Sequence, residues 1–153
     1  PSESLSFLKG VRTTVGDDGA FLIGVDLVKD SSILNAAYND VQGVTAQFNL
    51  NILNHLNHLG EGNFNAKHFS HHAFFNKQEN RIEMHLRSDL DQVVYIFGEH
   101  FMFKAGETIV TEYSYKFIPE QFEKLALEAG FESKRMWTDE GKNFALFWLE
   151  AAT

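Results

Sequence analysis

Cysteine is missing from this 153-residue chain, which excludes disulfides, thiolate metal sites and any mechanism that depends on a nucleophilic thiol. No run approaches the roughly 20 consecutive apolar residues of a membrane-spanning helix, and the first residues lack the basic-then-apolar order of a secretory signal. No membrane partner is expected, and a cytoplasmic location is the default expectation. No basic cluster offsets the net charge of −8, so nucleic acid is not an expected partner either. An initiating methionine is absent as well. The chain opens Pro-Ser-Glu-Ser, which fits a fragment of a longer polypeptide.

What is present is the material of a packed domain. Hydrophobic residues make up 44% of the chain and 15 of its residues are Phe, enough for a real core. Leu5, Leu8 and Val11 mark a short amphipathic helix over 4–15, ended by Gly16-Asp17-Asp18-Gly19. Phe21 to Val28 is an almost unbroken apolar run, the pattern of a strand buried on both faces of a parallel sheet, although its length alone does not exclude a buried helix; Gly24 allows close approach. Asp30, Ser31 and Ser32 offer N-cap oxygens to a following helix. Leu34, Tyr38 and Val41 form one helical stripe. After Gly43, a second stripe runs through Val44, Phe48, Ile52, Leu56 and Leu59 to a stop at Gly60, so two helices or one kinked helix are expected.

From Phe69 the period changes to two. Ile82, Met84 and Leu86 alternate with Glu83, His85 and Arg87, and a hairpin turns at Gly98-Glu99. Thr108 to Phe117 completes an expected antiparallel sheet of about four strands. Pro119 opens a helix that ends before Gly130, and two strands joined at Asp139-Glu140-Gly141 close the chain.

The run Val110-Thr111-Glu112-Tyr113-Ser114-Tyr115-Lys116 places Glu112 and Ser114 on one side of a strand by alternation. A carboxylate beside a hydroxyl is an acceptor pair for the N–H groups of a small ligand. Taken singly, these residues have plain structural readings: a solvated Glu-x-Ser, a helix-face tyrosine at Tyr38 and core filler at Met84. Their order carries more. Gly24-Val25-Asp26-Leu27-Val28-Lys29-Asp30, Ala36-Ala37-Tyr38-Asn39-Asp40, Gly43-Val44-Thr45-Ala46-Gln47-Phe48-Asn49 and Arg81-Ile82-Glu83-Met84-His85-Leu86 precede it in sequence. Together they resemble the S-adenosylmethionine-dependent, histidine-specific Nα-methyltransferases of ergothioneine biosynthesis, from about Phe21 to the C-terminus.

That resemblance implies an α/β fold: the C-terminal portion of a class I, Rossmann-like methyltransferase sheet carrying an inserted α+β substrate-recognition lobe with an antiparallel sheet. It implies core portions at 1–31 and 112–153 and the lobe at 32–111. It implies that Tyr38 binds the substrate carboxylate, that Glu112 and Ser114 read an imidazole, and that Met84 lines the same pocket. The partner is then a small amino acid, methylated on its α-amine. The glycine-rich turn that would hold S-adenosylmethionine is absent, so that cofactor is expected to be held mainly by an N-terminal half of the same polypeptide. No catalytic residue is assigned. The alternative is a non-catalytic small-ligand-binding or structural domain.

Seven histidines raise a metal question, chiefly His55 and His58 with His68, His71 and His72. No HExxH pattern is present and the run is rich in Asn, so no metal site is expected.

Overall fold

The computed structural model describes residues 2–152. The chain divides into two compact units, Pro1–Lys29 with Tyr115–Thr153, and Asp30–Ser114.

The first unit contains helix α1 (Ser2–Val15), strand β1 (Ala20–Asp26), helix α4 (Pro119–Glu128) and strands β7 (Phe131–Thr138) and β8 (Phe144–Ala151). Its sheet has the order β1-β8-β7, with both neighbouring pairs antiparallel. Along β8, Ala145, Phe147 and Leu149 point inward and are fully buried, while Phe144 and Leu146 face outward, as the pleat requires. Leu8 from α1 and Phe122 and Ala126 from α4 complete this core, and the Phe122 ring lies 4.7 Å from that of Phe147. Pro119 opens α4, where a missing N–H costs nothing, and Gly130 beyond its end takes φ +89, a conformation that strains any side chain.

The buried parallel strand expected over 21–28 needs correction. Among the described residues β1 pairs antiparallel with β8, and Leu22 is 52% exposed. Among the described pairings of this unit, the isolated bridge from Leu27 to Phe117 is parallel. A continuous apolar run reports apolar side chains on both faces and is silent about the direction of the partner strand and about whether each face is covered. Gly24 earns its place by admitting the Phe144 ring, which a Cβ there would meet at 2.6 Å.

The second unit holds helices α2 (Ser31–Tyr38) and α3 (Val44–Gly60), a 3-10 turn at Ala66–His68, and strands β2 (Phe69–Asn76), β3 (Arg81–Ser88), β4 (Gln92–Ile96), β5 (Glu99–Phe103) and β6 (Thr108–Tyr115), the last ending one residue past the division. Asp30 caps α2 by accepting from Ser32 N at 2.7 Å. Asp40 accepts from Val44 N and Thr45 N at 2.9 Å each, and Gly43 takes a left-handed turn, so the two helices are separate.

The expected four-stranded sheet is instead a three-stranded sheet, β2-β3-β6, plus a detached β4-β5 hairpin. The reason is a clamp at the base of the hairpin. Ser88 N donates to Glu107 O and Gly106 N to Ser88 O, both at 2.8 Å, which brings the chain back beside β3. The hairpin then turns its Val94 and Ile96 toward Leu53, Phe64, Phe69 and Leu86.

The stripe expected on α3 holds in part, since Leu56 packs against the same core as the hairpin, but most of its inward line is displaced by one position. Val44, Phe48 and Leu59 are each about 60% exposed, whereas Asn49, Leu53 and Gly60 are buried. Gly60 is needed for closeness, since a Cβ there would meet Ile96 Cγ1 at 2.6 Å, and the left-handed cap is Glu61.

Candidate functional site

Tyr38 is the last residue of α2, and its phenol donates a 2.8 Å hydrogen bond to Ser114 Oγ on β6, 76 residues away. Tyr38 also packs against a core of Leu34, Ala73, Ile82 and Met84. Met84, 2% exposed, alternates onto the apolar side of β3 with Ile82 and Leu86. All four residues singled out from sequence lie in one unit: the phenol and hydroxyl are bonded, and the thioether lies in the core that carries the phenol. Glu112 stands two residues before Ser114 on the same strand and is exposed.

The neighbouring strands hold polar groups that the sequence reading did not single out. Glu83 is buried and accepts from Arg81 Nε at 2.9 Å and from Asn76 Nδ2 at 3.0 Å, with His85 Nε2 at 3.3 Å. Burial pushes its carboxyl upward, but the bonds from Arg81, Asn76 and His85 outweigh that and hold it below the usual glutamate value. The Arg81 guanidinium lies 3.7 Å from the ring centre of Tyr113, the residue between Glu112 and Ser114. A charged residue inside the alternating run Ile82, Met84, Leu86 was the available signal.

A second buried polar residue is Asn49 on α3. Its Nδ2 faces His71 Nδ1 at 2.9 Å and donates to His85 O at 3.1 Å, and His71 Nε2 lies 2.8 Å from Tyr38 O. The signal for Asn49 was its position four residues before Leu53 on a helix. Of the histidines considered for metal, His71 is engaged in this way and His68 Nε2 lies 3.2 Å from Asn65 Nδ2. Among the described residues no group of three or more His, Cys, Asp or Glu is placed to hold a metal ion.

In the first unit, Asp26 at the end of β1 binds Lys29 at 2.6 Å and the buried Lys116 at 2.9 Å. Burial raises its carboxyl and the two ammonium groups lower it further, leaving it below the ordinary aspartate value.

Comparison with known proteins decides the family. A model of histidine-specific, SAM-dependent methyltransferases matches residues 1–151. The chain belongs to that family. It is 40% identical over 148 residues to a histidine N-alpha-methyltransferase of Mycobacterium tuberculosis, an alignment covering 95% of this chain and 46% of the relative. A histidine N-alpha-methyltransferase of Mycolicibacterium smegmatis is 38% identical over the same shares. "Ergothioneine biosynthesis protein 1" of Neurospora crassa is 28% identical, over 90% of this chain and 16% of that protein. The chain thus spans less than half the length of these curated relatives. A solved structure, the CcbJ methyltransferase from Streptomyces caelestis, aligns over 99% of this chain and 51% of its own with a TM-score of 0.49 and 12% identity.

Proposed function

We propose that this member of the family is the substrate-recognising, C-terminal part of an amino-acid Nα-methyltransferase, with histidine as substrate and trimethylhistidine as product. The observation that carries the reading is the Tyr38 to Ser114 hydrogen bond, which joins the end of α2 to β6 over the core that holds Met84. The names of the relatives support the choice of histidine. On this reading β1 with the β7-β8 pair belongs to a class I methyltransferase sheet and residues 32–111 form its inserted lobe.

The chemistry fits an imidazole. A neutral imidazole has one donor and one acceptor, and a protonated one has two donors, so a carboxylate beside a rotatable hydroxyl satisfies either form. Glu112 supplies the carboxylate and Ser114 the hydroxyl, while Met84 backs the ring and Tyr38 addresses the substrate carboxylate by turning its one O–H from Ser114 to that group. These groups bind and orient; methyl transfer to an amine needs little else from them once the amine has lost its proton.

A family member is expected to use S-adenosylmethionine as methyl donor, but the residues of this chain do not form its cradle. The turn from β1 to α2, Leu27-Val28-Lys29-Asp30, contains no glycine, and the Asp30 carboxylate is engaged in capping α2. The role of this chain concerns the amino acid.

Glu112→Ala, made in a polypeptide that includes the cofactor-binding part, is expected to raise the KM for histidine about ten- to hundredfold, the worth of one charge-assisted hydrogen bond, and to leave cofactor affinity nearly unchanged. Steady-state kinetics with each substrate varied in turn is the measurement. An unaltered histidine dependence removes Glu112 from the site and favours a non-catalytic role for the surface.

A further inference from the structure

The three bonds of His71 and Asn49 form a continuous path into the candidate site. Asn49 is 0% exposed, and among the described residues its Oδ1 has no hydrogen-bond partner. A buried amide oxygen left in that state is costly, so the orientation must be held by what Nδ2 does. Nδ2 faces two acceptors at once, His71 Nδ1 and His85 O. Turning the amide round would set Oδ1 against the His85 carbonyl oxygen, two acceptors with no proton between them. With Nδ1 accepting, the proton of a neutral His71 sits on Nε2, where it meets the Tyr38 carbonyl at 2.8 Å. The same residue's phenol makes the bond to Ser114.

We propose that His71 is a positioning residue for substrate recognition: held as its Nε2–H tautomer by Asn49, it anchors the final residue of α2 so that the Tyr38 phenol is aimed at Ser114. This rests on the reading of Tyr38 and Ser114 as substrate-binding groups. Among the described residues, two other bonds tie α2 and its C-cap Asn39 to β2, from Phe75 N to Asn35 Oδ1 at 2.8 Å and from Asn39 Nδ2 to Ala73 O at 3.0 Å. They hold the helix alongside the strand. Among the described bonds it is His71 that grips the carbonyl of Tyr38 itself, so its loss is expected to let the last residue turn while the helix stays docked.

Two isosteric halves of histidine separate the roles. In Gln the amide nitrogen reaches the place of Nε2, whereas Asn reaches only the place of Nδ1. In the polypeptide that includes the cofactor-binding part, His71→Asn is expected to raise the KM for histidine about tenfold with kcat changed less than about twofold, and His71→Gln to recover most of that loss. In a Tyr38→Phe background His71→Asn should add nothing further. Equal effects of Asn and Gln, or a full additional loss in the Tyr38→Phe background, overturn the positioning role. If Tyr38→Phe leaves the KM for histidine unchanged, the proposed function fails instead. The anchor is then decided without activity by nitrogen-15 and carbon-13 spectra of the wild-type protein and of His71→Asn in mildly alkaline buffer. A neutral ring protonated on Nε2, with Tyr38 carbonyl and ring signals that shift in His71→Asn, supports it, and protonation on Nδ1 or unmoved Tyr38 signals overturn it.

Discussion

The two units are held together by different chemistry. The unit built from β1, β7, β8, α1 and α4 rests on an apolar core in which Phe122, Phe131, Phe147 and Leu149 are almost wholly buried. The Asp30–Ser114 unit has smaller apolar clusters and is stitched by amide side chains. Besides Asn35, Asn39 and Asn49, Asn57 gives and takes 2.7 Å bonds with the Phe64 backbone, and Asn63 accepts from Tyr95 N at 2.7 Å. The lesson is about geometry. Apolar contact is non-directional and tolerates small shifts, while a chain of amide and imidazole bonds fixes where one carbonyl or phenol points. The unit that carries Tyr38, Glu112 and Ser114 is the one built in the directional way.

The contrast is open to experiment. Its largest expected effect is Phe147→Ala, which empties the centre of the first core and should cost about 3–5 kcal/mol, read as lost hydrogen-exchange protection in β1 and β8. Asn49→Leu should cost less, about 1–3 kcal/mol, seen in β2 and β3. Leucine fills the volume and removes the unpaired Oδ1 but strands His85 O and the His71 ring. A neutral or stabilising Asn49→Leu would erase the distinction, because it would show that the amide bonds add no strength to the second unit.

The same contrast explains what could be read from sequence. Pro119 and Gly130 bracket α4, Asp30 caps α2, and the alternation around Ile82, Met84 and Leu86 marks β3, because each is a local preference of the chain. The stripe on α3 is legible at Leu56 but shifted elsewhere, because its buried line includes Asn49, a residue that any hydrophobic pattern scores as outward. The return of the chain to pair β6 with β3 depends on the Ser88 clamp, a contact between residues 18 and 19 positions apart that no period reports. Of the candidate site, Tyr38, Met84, Glu112 and Ser114 are named from a joint order of motifs and lie in one unit, with Glu112 exposed and, among the described bonds, linked to none of the other three. The His71 link was invisible, since an Asn, a His and a backbone carbonyl on three elements share no spacing.

The smallest expected effect concerns Glu83, the charged member of the stitched unit. Its carboxyl is held below the ordinary value of 4.5 because hydrogen bonds from Arg81, Asn76 and His85 outweigh its burial. A group depressed in this way binds fewer protons folded than unfolded near that value, so its stabilisation is full above about pH 4.5 and fades as pH falls through the folded value. Glu83→Gln keeps the shape and abolishes the titration. The stability difference between wild type and Glu83→Gln, followed by denaturant titration, should therefore be constant at neutral pH and shrink on acidification. Because Glu83 shares its strand with Met84 and receives the Arg81 that covers Tyr113, the same variant should loosen the Arg81 contact. A difference that grows on acidification would mean that burial, and not the three donors, sets the charge on this strand.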